Sequence, residues 1–217
     1  YKNAWNLYYR WISEIISDFW AMGFLGIGAT IGLMNVVSLP RYFMFRIKLD
    51  DPHPFPWIRV KLSLAFGKAL YPHEQWNNYE QLWQKLYPTD KLEAKNLLIV
   101  KELIACMPEF VRTIVNHKSA KFGNVNLPEI FPFRKRQPNF LRDLFKEWQK
   151  YPEKMNTAGP TLLFAVIGQA HSDGGVSSDS ESKILSRYLT QWAFLRSEKR
   201  SLTANKKTIS EIQELIN

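Results

Sequence analysis

Residues 171–181, His-Ser-Asp-Gly-Gly-Val-Ser-Ser-Asp-Ser-Glu, gather oxygen-bearing side chains around an Asp-Gly turn. A calcium loop uses such a density of donors, with ligands at alternating positions and a bidentate Glu at the twelfth. Setting Gly174 at the sixth position puts Gln169 first, His171 third and Ser180 twelfth, a poor ligand set. Asp50 and Asp51 stand beside His53 in a proline-rich stretch, which reads as an acidic turn before it reads as a metal site. Cys106 is the single cysteine and sits on an apolar helical pattern, as a buried thiol would. His73 and His117 fall at a helix start and a helix end, where they serve local structure. No GxSxG, HExxH, phosphate-loop or kinase-like set occurs. The expectation is a chain with no catalytic residues, no metal and no cofactor.

The helix, Asp-Gly turn and capped helix of residues 171–181 resemble the helix junction of bacterial TerB-like helical domains. The resemblance covers that turn alone, which reads as a structural helix–turn–helix. Ser178 and Glu181 have the spacing of a capping box for the helix that follows.

Charge singles out the middle of the chain. The whole sequence carries +9, but residues 1–40 are neutral and residues 155–217 carry +1. Residues 41–154 hold 20 basic and 12 acidic side chains, and residues 112–154 alone hold ten against four. Arg134, Lys135, Arg136, Arg142 and Lys146 are the residues expected to meet an anionic partner: lipid head groups, an acidic protein surface or, less well supported, nucleic acid. Phe131, Phe133, Phe140 and Phe145 lie nearby and could stack on single-stranded bases. The helical spacing of Phe140 and Phe145 assigns those two first to a core.

These groups need elements to position them. Residues 19–40 are uncharged and long enough to cross a hydrocarbon layer as a helix, with Trp20 and Tyr42 near the ends. Gly28, Ala29 and Gly32 would let another membrane helix approach closely. The positive charge after this segment would keep the C-terminal domain on the cytoplasmic or matrix-like side. The competing readings are a buried core helix and, far less well supported, a phosphate-binding glycine loop. The preceding residues, with Trp5, Tyr8, Trp11, Ile12 and Ile15 at helical spacing, predict an amphipathic helix lying on a membrane or on a core.

Residues 42–66 alternate apolar and polar on both sides of a proline-rich turn, which predicts a β-hairpin. Ile58, Leu62, Ala65, Phe66 and Ala69 satisfy helical spacing equally, so both assignments stay open. From residue 73 onward the period is helical, with Pro88, Pro108, Pro152 and Pro160 as boundaries, an extended surface loop over 118–138, and a peripheral last helix near 207–216.

The fold expected is mainly α: an irregular helical bundle with one N-terminal transmembrane helix and, as one of the two open assignments, a hairpin at 42–66. The domains expected are 1–40, an amphipathic helix plus membrane span, and 41–217, a basic helical domain. The function expected is a non-enzymatic, membrane-anchored structural or scaffold subunit of a larger respiratory, organellar, secretion or transfer complex, whose partners are the other subunits. The alternative is a soluble helical nucleic-acid-binding protein using residues 112–154.

Overall fold

A computed structural model describes residues 2–216, with side chains described over 2–198. The chain is mainly helical, and among the described residues it has no strand, only one isolated bridge between Lys118 and Asn126. Two compact units divide it, Tyr1–Gly175 and Val176–Asn217.

The first unit begins with α1 (Lys2–Arg10), α2 (Ile12–Leu25) and α3 (Ile27–Val37). The span expected over residues 19–40 is therefore two helices, and no helix among the described residues is long and apolar enough to cross a membrane. Gly26 is the reason: at φ +58 and ψ −138 it stops α2 and re-aims the chain into α3. At a 1.5 Å rise the two helices are about 21 Å and about 16 Å long, short of the ~30 Å of a hydrocarbon layer. Their apolar residues instead face protein, with Phe19, Met22, Ile27, Thr30 and Met34 buried.

The expected hairpin at 42–66 does not form either. A short α4 (Arg41–Met44) leads through an irregular linker to α5 (Pro56–Leu70), which Pro56 starts at its first position. Helix α5 packs on α2, α3, α6 and α7, and Ile58, Val60, Leu62, Leu64 and Phe66 are buried round its circumference. A helix enclosed on every side loses the one-sided 3.6 period and imitates strand alternation. Its few polar groups are matched: Thr30 and Ser63 share a buried hydrogen bond of 2.8 Å. Arg59 holds Asp18 through two bonds, of 2.6 and 2.8 Å, and reaches Glu14 at 3.0 Å.

Helix α6 (Gln75–Leu86) is followed by α7 (Ala94–Val115), which runs straight through Pro108 rather than ending there. Cys106, Met107, Phe110 and Val111 are buried on both sides of the proline, and that burial offsets the ~3 kcal/mol an interior proline costs. The Tyr8 hydroxyl donates to the Leu103 carbonyl at 2.7 Å, and its ring stacks on Phe110 at 4.3 Å, tying α1 to α7. Trp11, Trp57, Trp76 and Trp83 bury their rings and donate each indole N–H to a backbone carbonyl, as large amphipathic rings require.

The stretch expected as a loop over 118–138 is a chain of short turns: a 3-10 turn, α8 (Leu127–Ile130) and a second 3-10 turn at Phe133–Arg136. Helices α9 (Pro138–Lys150) and α10 (Pro160–Ser172) then complete the first unit, each opened by its proline. The second unit carries one long helix, α11 (Ser178–Ile216). Its cap is Ser177, one residue earlier than expected, whose hydroxyl accepts the Ser180 N–H at 3.2 Å. The separate last helix expected near 207–216 is part of α11's backbone, and the faces assigned to Ile209, Ile212 and Ile216 lie outside the residues with described side chains.

Candidate functional site

Three helix ends meet in a cleft of about 420 Å3 lined by His73, Gln75, Tyr79, Arg142 and Asp173 among others. The start of α6 supplies His73 and Gln75, the first turn of α9 supplies Arg142, and the end of α10 supplies Gln169 and Asp173. His73 Nδ1 accepts the Gln75 N–H at 3.1 Å and so caps α6 from just before its first turn. Asp173 closes α10, and Gly174 at φ +74 turns the chain away.

Arg142 is the hub. Its guanidinium grips Asp173 through two bonds of 2.8 Å. It also donates to Asn139 at 3.2 Å and to Gln75 at 3.4 Å, and lies 2.8 Å from His73 Nε2. Four of the five N–H groups of the side chain meet oxygen acceptors within the chain, and the fifth faces His73 Nε2. Gln169 donates one amide nitrogen to Gln75 at 2.8 Å and to Asp173 at 3.1 Å. Two donors, from Arg142 and Gln169, thus bridge the same two acceptors and close a ring. His73 faces a donor on each ring nitrogen, and a neutral imidazole offers one acceptor, so only one of the two is satisfied. Gln75 Nε2 and Gln169 Oε1 are buried without a partner. These bonds clamp three helix ends together around the cleft. Hydrogen bonding to Asp173 raises the already high pKa of Arg142 further, which keeps the clamp charged.

The five basic residues expected to bind an anion stand in different surroundings. Arg134 and Lys135 are exposed, and Lys146 is exposed 3.9 Å from Asp143. Arg136 is buried: it donates to the carbonyls of Phe24 and Lys135 and to the Thr161 hydroxyl, and so ties the second 3-10 turn to α2 and α10. Arg142 is spent in the cleft. The three small residues of the expected membrane-packing face also separate. Gly28 lies against Gly168 of α10, Ala29 is half-buried, and a Cβ on Gly32 would meet nothing within 4 Å.

The sequence reading missed the network of His73, Gln75, Gln169 and Asp173, because its members stand up to 100 residues apart. It also passed over a surface feature that starts at the end of its expected span and runs past it. Val36, Leu39, Tyr42 and Phe43 are 79%, 41%, 74% and 45% exposed, and Arg46 and Lys48 beside them are exposed as well. The signal was present as an apolar run ending in Leu39-Pro40-Arg41-Tyr42-Phe43, where polar residues would suit a solvated turn.

Among the described residues no group of three or more His, Cys, Asp or Glu side chains is placed to hold a metal ion. Cys106 is buried, and burial pushes its thiol up, away from the reactive thiolate. Compared with known proteins, the chain matches no family model, no curated protein and no solved structure.

Proposed function

We propose that the chain is a non-enzymatic scaffold subunit of a membrane-associated assembly, and that it meets an anionic membrane surface through residues 36–48. The observation carrying this reading is the exposed row Val36, Leu39, Tyr42 and Phe43, flanked by Arg46 and Lys48. Aliphatic and aromatic side chains at the acyl boundary with basic groups at the head-group level are the two contributions that hold a protein on an anionic leaflet. The contact is interfacial, made by a linker and a four-residue helix, and needs no spanning segment. Other subunits of the assembly would meet the remaining basic surface, with Arg134, Lys135 and Lys146 on it.

The test is co-sedimentation with phosphatidylcholine vesicles, with and without phosphatidylserine. The chain is expected to sediment with the anionic vesicles, and the L39S/Y42S/F43S variant to lose about 2–3 kcal/mol of partitioning, more than tenfold. A wild-type chain that stays in the supernatant sinks the reading. Salt-sensitive binding to a single-stranded oligonucleotide in its place would favour the nucleic-acid alternative, which rests on the exposed Phe133 beside Arg134 and Lys135.

A further inference from the structure

Beside that exposed row lies a second cavity, of about 510 Å3, between α4, the linker after it and the start of α7. Its walls include Arg41, Arg46 and Lys91 against the single carboxylate of Glu93, together with Tyr42 and Asn96. Three cations facing one anion in a concave site raise the local concentration of negative ligands. Among the described residues none of these four charged side chains has an ion-pair partner.

Two further features point the same way. The Arg41 guanidinium lies over the Phe45 ring, 5.2 Å from its centroid, and its Nη2 is buried with no hydrogen-bond partner. Helix α7 also opens here. Its N-cap residue, Glu93, makes no side-chain cap bond, and Asn96 in its first turn lines the cavity. The uncapped start of a 22-residue helix presents free N–H groups and the positive end of its dipole. A tetrahedral, multiply charged oxyanion in the cavity would meet the part of the Arg41 side chain that lines it, pair with Lys91 and Arg46, and cap α7.

We infer that the cavity formed by Arg41, Arg46, Lys91 and the first turn of α7 binds a phosphate group. The phosphate site stands on its own geometry. Its lipid form, a phosphate monoester head group with Tyr42 and Phe43 in the adjoining acyl boundary, rests on the membrane reading above. The volume admits a head group larger than phosphate alone.

Two arms separate the site from its source. In the first, inorganic phosphate is titrated into the full chain, followed by phosphorus NMR, with chloride at matched ionic strength as the control. The R46Q/K91Q variant changes two exposed side chains and is checked for an unaltered helical spectrum. It is expected to weaken phosphate binding about tenfold or more. In the second, flotation is measured with phosphatidylcholine vesicles containing about 30% phosphatidic acid, whose head group is a phosphate monoester. R46Q/K91Q is expected to float far less than wild type, whereas L39S/F43S, which spares the cavity wall, is expected to lose flotation but keep inorganic phosphate. Phosphate binding no stronger than chloride, or binding unchanged in R46Q/K91Q, overturns the site. Phosphate binding lost in R46Q/K91Q without any wild-type flotation upholds the site, identifies free phosphate as its ligand and removes the membrane reading.

Discussion

Gly28 and Gly168 meet backbone to backbone where α3 crosses α10: a Cβ on Gly168 would lie 2.7 Å from the Gly28 Cα. Here neither side can yield by rotating a side chain. G168A must push the two helices apart and is expected to cost about 2–3 kcal/mol, as overpacking does. In a chain of this size that lowers Tm by roughly 4–12 °C. G28A is milder, since its Cβ would stand 3.4 Å from the Gly168 Cα and alanine recovers up to ~1 kcal/mol of helix propensity. Thermal melts of the two variants check the order, and equal costs would refute this account of the crossing.

Glu80 gives the stability a direction in pH. Burial alone would raise its carboxyl, but hydrogen bonds from Lys61 and Lys68, and their charges, hold it below its ordinary value. A carboxyl depressed in the folded state contributes stability above its unfolded pKa and loses it as pH falls through its folded pKa. Lys61 is only 5% exposed, so E80Q leaves a buried ammonium without its counter-charge and is expected to cost about 3 kcal/mol at neutral pH. The gap between wild type and E80Q should narrow with acid, across the range where carboxylates protonate. Urea titrations at several pH values measure it, and a gap that stays constant would contradict the assignment.

Arg136 and its neighbours in the basic run should behave oppositely. R136A strips hydrogen bonds from the Phe24 carbonyl and the Thr161 hydroxyl and leaves a hole between the second 3-10 turn, α2 and α10, so a loss of about 2–4 kcal/mol is expected. R134A/K135A removes two exposed charges and should stay within about 0.5 kcal/mol of wild type. Urea denaturation separates them. A triple alanine variant of the run would mix this loss of stability with any loss of anion contact, so R134A/K135A is the variant that reports on an anionic partner.

Much of the architecture was legible locally. Pro56, Pro138 and Pro160 mark helix starts because a missing N–H costs nothing there, and the helical class follows from long 3.6-period stretches after residue 73. Misreadings arose where environment overrides local signal. Helix α5 resembled a strand because burial all round erased its polar face, and α7 continued through Pro108 because its packing outweighs the proline's cost.

Sequence by itself determined that the chain is helical, that its net charge lies between residues 41 and 154, and that residues 19–40 are an uncharged, largely apolar run. Tertiary structure alone decided where they go. Gly26 at positive φ folds the uncharged run back, and Gly168 offers Gly28 an internal surface close enough to replace a lipid or a partner helix. It also decided which cations are free. Whether an arginine binds a partner depends on what stands within about 3 Å of its five donors. For Arg142 that is Asp173, 31 residues on, whereas for Arg41 no acceptor reaches Nη2. Such distances are set by how helices pack, and no local pattern encodes them.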